Sequence, residues 1–178
     1  MSMKPKSPAE SQVMMTETVL PHHTNALGNI FGGTVMSWID IAGAIAAGKH
    51  ARMPVVTASV DALHFIAPIK LGHVVELRAS VNATGKTSME VGVRVDSENL
   101  LTGERFHNVS AFLTFVALGN DGKPTVVPAI EPKTEKEIQR NISEQASPRK
   151  TNWFCLSVYI NLGWSSRRSG AWPGFNAS

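Results

Sequence analysis

The chain has 178 residues, enough for one domain with an appendage and for a hydrophobic core that needs no staples. Its 43% hydrophobic and 17% charged residues describe a globular chain and not a disordered one. The net charge of +3 resides in the last segment: Arg149, Lys150, Arg167 and Arg168 leave 13 basic and 14 acidic residues in 1–145, which gives no electrostatic case for nucleic-acid binding. Cys155 is the single cysteine, so no intrachain disulfide can form, which fits a reducing compartment. The N-terminus has no apolar stretch after its lysines, unlike a signal peptide. The most apolar run, 34–47, is too short for a membrane span and is interrupted by Asp40. A cytoplasmic protein without a membrane span is the expectation.

In chain order, residues 1–10 are polar and proline-bearing, which predicts a flexible N-terminus. Residues 11–20 predict a strand through Val13, Met15 and Val19, ended by Pro21. Residues 21–33 form a loop rich in His, Asn and Gly. Residues 33–48 predict a helix that is apolar nearly all round and therefore buried on most sides. Gly48 can end it, with Lys49 and His50 against the negative end of its dipole. The period then changes from 3.6 to 2. Val56, Ala58, Val60 and Ala62 alternate with Thr57, Ser59 and Asp61. Two similar alternations run from Val75 to Asn82 and from Met89 to Asp96, and 105–118 is a further strand. Short links at Thr84-Gly85-Lys86 and Thr102-Gly103 suit antiparallel hairpins. Strand, helix, then four strands predicts an α+β layout, with a curved sheet or a partner subunit covering the helix. The domain of 11–130 is followed by a predicted polar helix over 131–147. The tail, 148–178, shows no periodicity that assigns it a structure or role.

Asp40 is the one ionisable residue in 33–47. A carboxylate in a mostly buried helix costs several kcal/mol unless it is paired, hydrogen-bonded or neutralised, by order of magnitude. Either a catalytic role or a structural hydrogen bond would justify it, and the pattern alone favours neither. The loop Asn25 to Gly33 runs directly into that helix. Glycines at 32 and 33 let a ligand approach the backbone, and the first helical amides could bind an oxyanion. A plain tight turn is the equal alternative. Asn25 could orient water or a carbonyl, although loop asparagines more often cap turns. His22 and His23 lack a third ligand at a telling spacing, so no metal site is expected. His50, His64, His73 and His107 read as structural or surface residues. There is no Gly-x-Ser-x-Gly elbow. Lys70, Arg78, Lys86, Arg94 and Arg105 lie on or beside strands, where some could meet phosphates and most would simply be solvated.

Asn25-x-x-Gly28-Asn29-x-x-Gly32-Gly33 followed by Met36-Ser37-Trp38-Ile39-Asp40-x-Ala42-Gly43 resembles the loop and helix of hotdog-fold acyl-CoA hydrolases of the bacterial and cytosolic long-chain type. Val56 to Asp61, Gly85 to Val91 and Asp121 to Pro124 continue the resemblance, which covers about residues 12–130. It implies an antiparallel sheet wrapped around one long central helix, paired into a double hotdog and assembled as a hexamer. It implies hydrolysis of acyl-CoA thioesters to fatty acid and CoA, with no cofactor, metal or covalent serine, CoA being part of the substrate. Carried over, Asp40 is the catalytic carboxylate, as general base or direct nucleophile, and Asn25 comes from the other chain. The amide of Gly32 or Gly33 is the oxyanion donor. Asn29, Thr57, Ser59, Lys86, Thr87, Ser88 and Arg94 are candidate substrate contacts. Phe31 stands where the family often has His, which bears on the pocket wall. A non-catalytic acyl-CoA sensor on the same fold is the alternative function, and a hydratase is disfavoured by the lack of an Asp-His pair in the loop-helix segment.

Overall fold

The computed structural model describes residues 3–135 and 137–139. The strands are β1 (Val13–Thr18), β2 (Val55–Phe65), β3 (Val74–Thr84), β4 (Ser88–Glu98) and β5 (Arg105–Ala117), with one helix, α1 (Gly32–Ala51), between β1 and β2. They form one antiparallel sheet in the order β1-β3-β4-β5-β2. The predicted alternation holds through β3 and β4. Leu77, Ala79 and Val81 of β3, and Met89, Val91, Val93 and Val95 of β4, point to one side and are buried. Val109, Ala111, Leu113 and Phe115 of β5 complete that inner face.

Helix α1 lies on the inner face through Val35, Ile39, Ala42, Ala46 and Ala47. Small residues bring its axis close to the sheet. A Cβ at Gly43 would sit 2.9 Å from the Phe115 ring. The helix does not stop at Gly48. It runs to Ala51 and closes on Arg52, whose φ of 56° is left-handed and whose N–H reaches the Gly48 carbonyl at 2.8 Å. Pro54 shortly after prevents further helix, so the stop comes from the proline side of the sequence.

After β5 the chain turns at Gly122, which has a φ of 73°. It returns across the sheet end, where Val127 N–H donates to the Lys86 carbonyl at 3.1 Å. The N-terminal segment, loose by composition, makes specific contacts here. Lys6 N–H donates to the Ala129 carbonyl, Glu131 N–H donates back to Lys6, and a capping box of Ser7 and Glu10 starts a 3₁₀ helix at Pro8–Ser11. His50 is fully buried beneath this segment and donates from Nε2 to the Pro128 carbonyl at 2.8 Å. Burial pushes the imidazole below its usual range. Glu135 and residues 137–139 are helical, and most of the helix expected over 131–147, with the tail 148–178, lies outside the described residues. No helix among the described residues is long and apolar enough to cross a membrane.

Candidate active site

One side of α1 is not covered by its own sheet. Met36, Ile41 and Ile45 are 45%, 46% and 45% exposed there, and Asp40 lies between them, only partly buried. The helix that reads as buried all round is thus buried on one face within a single chain. Asp40 Oδ1 accepts a hydrogen bond of 2.6 Å from Thr57 Oγ1. A hydrogen bond this short to a carboxylate is of the charge-assisted kind.

The partner of Asp40 depends on a bulge. Thr57 pairs with Phe115 on the inner face, whereas Ser59 pairs with Thr114 on the outer face, so Ala58 is an extra residue in β2. Strict alternation would have put Thr57 and Ser59 on one face. The bulge turns Thr57 to the helix and Ser59 away from it. Ser59 Oγ instead donates to Asp61 Oδ1 at 2.7 Å, and Thr114 Oγ1 donates to Asp61 Oδ2 at 2.7 Å.

Gly32 and Gly33 are the first two residues of α1. Thr34 and Val35 turn their amides back to the Phe31 carbonyl, and Phe31 offers no side-chain cap. The amides of Gly32 and Gly33 have no hydrogen-bond partner among the described residues and point off the positive end of the helix. A Cβ at Gly33 would meet the Phe31 ring at 2.9 Å. Beside them is an apolar hollow of about 360 Å³ lined by Asn29, Gly32, Phe65, Ile66 and Ile69.

Asn25 is exposed in the preceding loop, and its Oδ1 accepts from the amides of Leu27 at 2.9 Å and Asn29 at 3.3 Å. That turn leaves the Nδ2 donors of the carboxamide outward. No hydrogen bond joins Asn25 to Asp40 among the described residues. The distance along α1 shows why the candidates of one chain do not converge. Eight residues separate Gly32 from Asp40, a rise of about 12 Å. A carbonyl held at the Gly32 amide is out of reach of the same chain's Asp40.

Among the remaining candidates, Lys86 is exposed in the β3–β4 hairpin with no ion pair among the described residues. Thr87 accepts through its carbonyl from Ala117 N–H at 3.0 Å, and Ser88 is buried at the start of β4. The register aligns Ser88, Val116 and Val56 across the sheet, so this hairpin shares the sheet end that carries Thr57. Arg94 lies on the outer face, and its Nε holds Asp96 at 2.8 and 3.0 Å. Arg78 pairs with Glu76, and Arg105 with Glu98. No cluster of three His, Cys, Asp or Glu among the described residues could hold a metal ion. His23 is instead part of the loop's frame, packed edge-on to Trp38 at 5.1 Å.

Sequence and fold comparisons agree on the relatives of this chain. The Thioesterase superfamily profile matches residues 27–104. An uncharacterised acyl-CoA thioester hydrolase of Bacillus subtilis is 44% identical over 144 residues, 80% of this chain and 84% of the relative. A hexameric acyl-CoA thioesterase solved without ligand superposes with a TM-score of 0.80 at 46% identity, covering 84% of this chain and 95% of that one. An acyl-CoA hydrolase from Staphylococcus aureus, solved with butyryl coenzyme A, coenzyme A and coenzyme A disulfide, gives 0.74 at 38% identity, covering 79% and 85%. The same enzyme has been solved with alanine in place of an asparagine, an aspartate and a threonine. Those three positions are spaced by 15 and 17 residues, as are Asn25, Asp40 and Thr57. The chain belongs to the hotdog-fold acyl-CoA thioester hydrolases.

Proposed function

We propose that this acyl-CoA thioester hydrolase builds each active site from two chains, with Asp40 of one facing Asn25 and the α1 N-terminus of the other. The observation that carries this reading is the separation of about 12 Å between Asp40 and the free glycine amides on one helix. The matching spacing of Asn25, Asp40 and Thr57 with the three substituted residues of the Staphylococcus aureus enzyme supports the choice of residues.

In this mechanism Thr57 fixes the Asp40 carboxylate, which takes a proton from a water attacking the thioester carbonyl. The oxyanion of the tetrahedral intermediate is received by the amide of Gly32 or Gly33, where the helix end is already positive. Asn25 donates from Nδ2 to the carbonyl or the water. Collapse breaks the carbon–sulfur bond, releases CoA and leaves the free acid. Direct attack by Asp40 would form an anhydride that water then opens, with the same products. The apolar hollow beside Gly32 receives the acyl chain, and Lys86, exposed in its hairpin, is a cation for the CoA phosphates. A sensor that binds acyl-CoA without cleaving it would not need a carboxylate set against a hydroxyl.

The second chain comes from a pairing of two hotdogs. β2 is an edge strand of eleven residues with Val60 48% exposed, and it borders the uncovered apolar stripe of α1. Such an edge is a template for antiparallel pairing with a second copy, which would also bury Met36, Ile41 and Ile45. Three such pairs make a hexamer, the state named for solved relatives. A cytoplasmic setting accords with the single cysteine.

Co-expression of two inactive variants tests the shared site. Asp40→Asn and Asn25→Ala chains mixed equally should recover about a quarter of parental turnover, because only mixed pairs assemble one site with both residues intact. Recovery no greater than the sum of the two variants alone would place both residues in one chain's site and overturn the proposal.

A further inference from the structure

The outer face of the sheet, opposite α1, carries a second constellation that the thioesterase reaction does not use. Asp96 Oδ1 lies 2.9 Å from His107 Nδ1, and His107 Nε2 lies 2.9 Å from Ser110 Oγ. The carboxylate accepts the Nδ1 proton, which leaves Nε2 as the acceptor for the Ser110 hydroxyl. Partial burial works against the charge on Asp96, but the hydrogen bonds from Arg94 and His107 outweigh it and hold the carboxyl below its usual range. The order of groups is that of a hydrolase relay, carboxylate to imidazole to hydroxyl.

This alignment rests on a backbone irregularity. Val95 pairs with Val109, while Asp96 pairs with His107, so Asn108 is an extra residue in β5. In a regular strand His107 and Ser110 would point to opposite faces. The bulge brings His107 to the outer face beside Asp96 and Ser110, and such bulges often re-aim a side chain next to a reactive site. Asn108 is held inside, with Nδ2 donating to the carbonyls of Ala67 and Pro68. Ser110 opens onto a hollow of about 800 Å³ that Ser80, Gly92 and Arg94 also line. Arg94 is the cross-strand neighbour of Ser110, and its Nε is the atom on Asp96. Its guanidinium brings a positive charge to the wall of the same hollow.

We propose that Ser110 is an activated serine, a second nucleophile independent of Asp40, which takes an acyl group from small carboxylic esters or thioesters. Its Oγ attacks the carbonyl carbon while His107 Nε2 removes the hydroxyl proton. The bond from that carbon to the leaving oxygen or sulfur breaks, and the imidazolium returns the proton to the leaving group. The product is an O-acyl serine. Arg94, across the strands from Ser110 and in the lining of the hollow, is the cation placed to face the oxyanion, and with no pair of amides shown to converge there the acyl group is released slowly.

An alkyl fluorophosphonate tests this, because the same attack forms a phosphorus–oxygen bond, expels fluoride and leaves a stable adduct. The full chain carrying Asp40→Asn is treated and mapped by peptide mass spectrometry, so the outcome is separate from that of the shared thioesterase site. An adduct on Ser110 is expected, lost with Ser110→Ala and slowed by about 100-fold or more with His107→Gln. Placed in the chain with Asp40 intact, His107→Gln should retain thioester hydrolysis, which shows that it folds. No adduct on Ser110 would overturn the proposal. Labelling of Ser110 that persists unchanged in His107→Gln would also overturn it, since the serine would then be merely exposed.

Discussion

Replacing Thr57 with valine removes the hydroxyl that holds Asp40 and keeps the branched shape that a strand accepts. The bond lost is 2.6 Å long and ends on a carboxylate. Hydrogen bonds to charged groups contribute about 1.5–3 kcal/mol, and the exposure of Thr57 places this one near the lower figure. If that contribution is felt in the transition state, about 1.5 kcal/mol corresponds to roughly a tenfold loss of kcat/KM. The loss should fall on kcat, because Thr57 orients the base and does not define the acyl pocket. A thiol-release assay with a short acyl-CoA measures it. Thr57→Ser should restore most of the rate, since it returns the oxygen. Stability should fall by no more than about 1.5 kcal/mol, the contribution of the same bond at an exposed position. Parental kcat in a folded Thr57→Val enzyme would refute the claim that this bond prepares Asp40. A loss that Thr57→Ser does not recover would show that strand shape, and not the hydroxyl, is what matters.

Three further outcomes follow from the same geometry. Gly32→Pro deletes one amide donor at the helix start, where proline fits and where Phe31, at φ −71° and ψ 130°, already has the backbone a following proline needs. If Gly32 is the oxyanion donor, kcat should fall by about 100- to 1000-fold with the fold intact by circular dichroism, and an unchanged kcat would assign the role to Gly33 instead. Gly43→Ala would push a methyl group to 2.9 Å from the Phe115 ring, an overpacking that should cost about 1–3 kcal/mol in urea unfolding. Equal stability would mean that helix and sheet are not in such close approach. Burial lowers the folded pKa of His50 below the unfolded value near 6.5. The unfolded chain therefore binds the extra proton first, so stability is full above about pH 6.5 and falls as the pH drops through that value toward the folded pKa. Urea midpoints measured between pH 5 and 8 should show this decline, and a His50→Gln chain should lack that part of it.

The fold was legible because its two periods are clean. The apolar run broken only by Asp40 marks α1, and the alternations in β3 and β4 give their inner faces residue by residue. What could not be read is what pairing decides. The bulges at Ala58 and Asn108 add one residue to a strand, and nothing local in Thr57-Ala58-Ser59 or His107-Asn108 announces them. Thus Thr57 and Ser59 look equivalent in sequence and end on opposite faces. For the same reason His107 reads as a scattered histidine, although the spacing from Asp96 to Ser110 brackets the one hairpin that joins them. The helix runs past Gly48 to Ala51, because a glycine is permissive of a stop and does not compel one, whereas Pro54 limits how far the helix can run. The exposed stripe at Met36, Ile41 and Ile45 is the surface that the proposed pairing would bury, and sequence alone registers it only as a helix with too much apolar surface.

The central claim is that the Asp40 carboxylate performs the chemistry. Turnover by Asp40→Asn, measured at saturating acyl-CoA alongside calorimetric binding of the same substrate, tests it most directly. The account predicts a fall in kcat of about 100- to 10,000-fold with binding retained. A folded Asp40→Asn enzyme that releases thiol at near-parental rates would contradict it.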